Sequence, residues 1–174
     1  MKAHLRAGPQ GRVSVPPAKR FLVTLLALLV TTALAPAVAA PAADGEGMMS
    51  VSPASVIYGS TGNTFTFTFT ANIGDFGSGS QVALTIPDGW TAPTTSAGAG
   101  QITVDSGSAT LSGSPPFAVA GSNVFVDIAS CTAGQSFTVT YAGVTAPAVA
   151  GSPYTFIAQT DIGPGGQGLV SVWR

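Results

Sequence analysis

Beyond residue 39 the sequence contains no histidine and no lysine, and its single arginine is the last residue, Arg174. Cysteine occurs once, at Cys131. Ser-His-Asp triads, Ser-Lys dyads and Cys-His pairs all need a base that this stretch does not supply. Zinc has no ligand set, and a lysine–asparagine isopeptide crosslink has no lysine. Asp44, Glu46, Asp75, Asp88, Asp105, Asp127 and Asp161 stand against Arg174, a formal charge of −6, where nucleic acid or anionic lipid would require a basic footprint. A carboxylate pair of the glycosidase kind is available by number, but the acids are scattered singly, mostly at the ends of strand-like runs, which suits solvated turns. No catalytic residue and no cofactor is therefore expected. A lone cysteine in an oxidising compartment is either free or paired between chains. The apolar setting of "DIASCTAG" favours a buried, inert thiol.

Long hydrophobic runs are also missing. The longest, "FLVTLLALLV" at 21–30, falls short of the roughly 20 apolar residues of a membrane span and fades into "TTALAPAVAA". Ahead of it lie Lys2, Arg6, Arg12, Lys19 and Arg20, and behind it the small residues Ala37-Val38-Ala39. A basic stretch, an apolar stretch and an A-x-A site make a secretory signal peptide over residues 1–39, cleaved after Ala39. Neither a lipoprotein cysteine near that point nor a sorting motif in the closing "GLVSVWR" is present. The expected product is secreted or held at the cell surface, without stable membrane insertion. It comprises a flexible tail, residues 40–47, and one domain, residues 48–174.

What the domain does have is short alternating runs punctuated by Gly, Ser, Pro and Asp, the pattern of an all-β fold. Strands are predicted near Met49–Ser52, Ser55–Tyr58, Thr64–Ala71, Gln81–Ile86, Ile102–Asp105, Ala109–Ser112, Val124–Ile128, Ser136–Tyr141, Tyr154–Thr160 and Leu169–Trp173. "PDGW" at 87–90 reads as a tight turn. "SGSPPFAVAGS" at 112–122 reads as a long connection or edge excursion, because its two prolines cannot donate to a ladder. Strands of this length and spacing favour an antiparallel β-sandwich of Greek-key, immunoglobulin-like type, with a closed barrel as the alternative.

Alternation assigns the inner faces. Phe65, Phe67 and Phe69 should face Val82, Leu84 and Ile86, with Val124, Val126, Ile128, Phe137, Val139, Tyr141, Tyr154 and Phe156 completing the two layers. At about 1.5–3 kcal/mol each, three buried phenylalanines contribute roughly 5–9 kcal/mol, comparable with the net stability of a whole domain, about 5–15 kcal/mol. The intervening threonines form the wet face. Regular T-x-T arrays on neighbouring strands can order water and bind ice, but only "FTVTY" at 137–141 offers a second short T-x-T, so a solvated β-forming face is the preferred reading.

Three further features invite a function. "GPGGQG" at 163–168 fits the dinucleotide pattern G-x-G-x-x-G, but no helix follows to offer its amides to phosphate, so a hairpin loop is expected. Asp75 and Asp161 sit in glycine-rich loops and are weak candidates for calcium, with no D-x-D-x-D-G pattern around them. Trp90 and Trp173 would stack on sugar rings if exposed on one face.

The strings "SVSPASVIYGSTGNTFTFTFTA", "GSQVALTIPDGWTAP" and "AGQSFTVTYAGVTAPAVAGSPYTFIAQT" resemble the immunoglobulin-like β-sandwich repeats of large bacterial secreted and cell-surface proteins. Those repeats open on S-P-x-S-V-x-x-G-S-x-G-N-T, carry an apolar-P-x-G-W turn and close with an A-G strand pair. The likeness spans about Ser50 to Val172. It implies a non-enzymatic spacer, adhesive or filament-building module whose partners are other surface proteins, itself or glycans. The family's units usually occur in tandem, whereas here one unit follows its own signal. Two alternatives accompany this expectation. One is a filament subunit joined by strand donation, with the tail preceding "MMSVSP" adding as an edge strand; the other is a carbohydrate-binding module using Trp90 and Trp173.

Overall fold

The computed structural model describes residues 44–72, 74–149, 153–163 and 170–171. The predicted signal peptide, most of "GPGGQG", and Trp173 lie outside the described residues. Ten strands and no helix occur among the described residues: β1 (Met48–Ser52), β2 (Asn63–Thr70), β3 (Ser80–Thr85), β4 (Gln101–Asp105), β5 (Thr110–Leu111), β6 (Phe117–Ala120), β7 (Asn123–Ser130), β8 (Ser136–Val144), β9 (Ile157–Asp161) and β10 (Val170–Ser171). No helix among them is long and apolar enough to cross a membrane.

The strands form two antiparallel sheets. One runs β1-β2-β8-β4; the other runs β10-β9-β3-β7-β5, with β6 also on β7. Their apolar faces share one core, as a β-sandwich requires. Phe67, Phe69, Val124, Ile128, Phe137, Val139, Tyr141 and Ala158 are completely buried, and Phe65, Val82, Leu84, Ile86 and Val126 nearly so. Alternation produces this directly, because every second residue of β2 turns inward between β1 and β8. The rings divide into two groups. Phe69 packs on Phe137 and Phe76 at 5.1 and 5.4 Å between centroids. Phe65 and Phe67 instead meet Phe156 at 5.6 and 5.1 Å.

The structure departs from the sequence reading in three places. Ser55–Tyr58 is not a strand. The Ser60 hydroxyl donates to the Ile57 carbonyl, and the Gly59 N–H donates to the Pro147 carbonyl, so the segment is committed to a turn. The stretch 112–122 holds a strand, β6, that the prolines concealed: Pro115 and Pro116 interrupt an edge, leaving β5 and β6 as two short pieces on the same strand, β7. There the Pro116 carbonyl accepts from the Asp127 N–H, so that acceptor still joins the ladder. Tyr154 precedes β9 and is half-buried, outside the core, while Phe156 only packs partly against it. Met48–Ser52, predicted as a strand from Met49 on, is one, and pairs with β2 from Met48↔Thr70 to Ser52↔Thr66.

Residues 44–47 are tied down at one end of the sandwich. The buried Thr160 hydroxyl accepts from the Gly45 N–H at 2.8 Å and donates to the Glu46 carbonyl at 3.0 Å. The Asp44 carboxylate accepts from the Ile162 N–H.

Candidate functional site

At the opposite end, where β1 finishes, residues 53–56, 58, 90, 146–147 and 153–156 line a cavity of about 540 Å³. That volume falls in the range of small-ligand sites, roughly 300–1,000 Å³. Its rings are Tyr58, Phe65, Trp90, Tyr154 and Phe156, its rim includes Pro53, Pro147 and Pro153, and none of the described lining residues is charged. Trp90 is placed by the "PDGW" turn, in which Gly89 takes φ +88°. The next residue is anchored twice: the Tyr141 hydroxyl donates to the Thr91 carbonyl, and the Thr91 hydroxyl accepts from the Thr145 N–H at 2.8 Å. The indole is wedged edge-on between Phe65 at 5.2 Å and Tyr154 at 5.8 Å, and tilted against Phe156 at 5.2 Å. It is half-buried, and its Nε1–H is buried without a partner among the described residues. Such a donor is expensive to leave unpaired. Tyr58 is 50 % exposed, and the Tyr154 hydroxyl makes one long bond to the Val149 carbonyl, 3.4 Å. The chemistry of the cavity is thus neutral: apolar ring faces, one unpaired N–H and several hydroxyls.

A second surface lies on the outer face of the four-stranded sheet. Register aligns Ser52, Thr66, Thr140 and Thr103 in one row across β1, β2, β8 and β4. The next row is Ser50, Thr68, Thr138 and Asp105, and a shorter one joins Met48, Thr70 and Ser136. The hydroxyls of Thr66, Thr68, Thr138 and Thr140 have no partner among the described residues. The threonine row of β2 therefore continues onto its neighbours. Only half of that signal was in the T-x-T spelling; serines on β1 and the lone Thr103 supply the rest through pairing.

Comparison with family models, curated proteins and solved structures finds no match to this chain. The remaining candidates rest on their own geometry. Asp75 accepts from the Ala133 N–H at 3.0 Å and Asp161 from the Gly163 N–H at 2.8 Å, so each carboxylate ties a loop. Among the described residues no three His, Cys, Asp or Glu side chains come together in a metal-sized group. Cys131 is fully buried; burial pushes its pKa up, and its Sγ lies 3.6 Å from the Gln135 carbonyl oxygen. A thiol held protonated in this way is a poor nucleophile. Burial also pushes the Tyr141 phenol up to about 12.

Proposed function

We propose that this chain is a secreted, non-enzymatic module of the immunoglobulin-like sandwich type, serving a structural and adhesive role at the bacterial cell surface. The observation that carries this reading is the use to which the polar side chains are put. Asp44, Asp75, Asp105 and Asp161 each accept a backbone N–H in a loop, and Asp127 accepts from the Gln81 amide of the neighbouring strand. These acids tie loops and strands rather than converging on one site among the described residues, while Asp88, Asp105 and Asp127 stay exposed on the surface left for contact. The test begins with expression of the full chain in a secreting bacterium and sequencing of the N-terminus of the exported protein, expected at Ala40. The exported protein is then presented to cell-surface glycans and proteins. A chain kept inside cells with residues 1–39 intact, or an exported one that neither self-associates nor retains any surface component, would defeat the proposal.

The cavity supports a second, narrower reading: a neutral saccharide bound against Trp90. Ring faces suit the C–H side of a sugar, and hydroxyls that both donate and accept suit its alcohols. Titration of the protein with neutral oligosaccharides should shift tryptophan emission, and Trp90→Ala should abolish binding. Unchanged emission across such a panel, with the protein folded, removes this reading.

A further inference from the structure

We infer that the outer face of the β1-β2-β8-β4 sheet is an ice-adsorbing surface, the hydroxyl rows acting as a template for ordered water. One row carries hydroxyls on all four strands, the next on β1, β2 and β8, and the third on β2 and β8, so the hydroxyls form a mesh centred on β2 and β8 rather than a stripe. Its repeat follows from sheet geometry: about 4.8 Å between strands and about 6.8 Å between alternate residues of one strand. This is comparable with the oxygen repeat on a prism face of ice. Threonine is stiff at χ1, so the array is held without ordering long side chains. Sheet twist rotates neighbouring strands by about 20–25°, which makes the adjacent β2 and β8 threonines the flattest part and the flanking strands a supporting margin.

Other occupants fit this face poorly. Five residues on four strands span roughly 300 Å², well below the roughly 800 Å² per partner of a stable protein interface. The rows hold no tryptophan, tyrosine or arginine to anchor a protein partner, and no ring to stack on a polysaccharide. Their only charge is Asp105, at one corner, so neither nucleic acid nor an anionic membrane is favoured. A lattice of repeated weak donors and acceptors suits what is left, a surface that is periodic, free of aromatic anchors and charged only at one corner.

The protein purified after expression of the full chain should become incorporated into a slowly growing ice hemisphere and slow ice recrystallisation in a frozen sucrose film. Thr68→Lys, at the centre of the mesh, and Thr103→Lys, on the exposed edge strand, should each raise the concentration needed at least tenfold. Ala118→Lys, exposed on the other sheet, should leave it unchanged. Circular dichroism identifies which variants are folded, and Thr103→Lys carries the test if Thr68→Lys is not. Exclusion of the wild type from ice overturns the inference, as does retained activity in a folded Thr103→Lys variant. Retention on crystalline cellulose without any effect on ice also overturns it.

Discussion

Replacing Tyr141 with phenylalanine should exchange stability at neutral pH for stability in alkali. The ring is fully buried in β8, and its hydroxyl donates to the Thr91 carbonyl. Removing one hydrogen bond of this kind costs about 0.5–1.5 kcal/mol, so at pH 7 Tyr141→Phe should be the less stable protein by that amount. The phenol ionises near pH 10 in an unfolded chain and near pH 12 in the folded one. Between those values the unfolded state has released a proton that the folded state keeps, so stability falls as pH rises through this window and is unaffected below it. Two pH units correspond to at most about 3 kcal/mol. The variant lacks this loss, and the difference between the two proteins should shrink above pH 10 and reverse in sign before pH 12. Urea unfolding of both proteins by circular dichroism, at intervals from pH 7 to 12, reads the crossing directly. Parallel alkaline slopes would refute the reasoning, because they would mean that Tyr141 titrates alike in both states.

Phe67→Ala empties a completely buried site in the centre of β2 and should cost about 3–5 kcal/mol, seen as a lowered urea midpoint. Thr160→Val keeps the shape but removes the hydroxyl that accepts from the Gly45 N–H and donates to the Glu46 carbonyl; a loss of about 1–3 kcal/mol and faster amide exchange at Gly45 are expected. Gly100→Ala combines φ +80° with a Cβ that collides with the Ala92 carbonyl oxygen, whereas Gly62→Ala meets strain of a similar kind, φ +72°, in open space. Thermal melts should therefore show Gly100→Ala losing clearly more than the roughly 1–2 kcal/mol of left-handed backbone strain alone, and Gly62→Ala no more than that.

Alternation made the strands and inner faces legible, because burial of one face imposes a period of two on both residue chemistry and geometry. The phenylalanines of β2 and the valines of β7 needed nothing more. Edges were harder to see. Phe117–Ala120 is short, and Pro115-Pro116 before it reads locally as a loop, although the carbonyl of Pro116 still joins the ladder; its neighbour Thr110–Leu111 lies within the predicted strand Ala109–Ser112. Ser55–Tyr58 alternates well enough to suggest a strand, but the Ser60 hydroxyl and the Gly59 amide commit it to a turn against Pro147. Both candidate surfaces depend on long-range pairing. The cavity gathers residues from before β2, after β3 and before β9, and the hydroxyl mesh exists only once the registers of three strand pairs are known.

The tie between Thr160 and residues 45–46 gives the domain a polarity. β1 runs from Met48 beside that tie to Val51 and Ser52 beside the cavity, and β9 starts next to Phe156 at the cavity and reaches Thr160 at the tie. The chain thus enters at one pole while its aromatic mouth opens at the other. Any tether fixed ahead of Asp44 would carry the mouth at its far tip, facing away from the point of attachment.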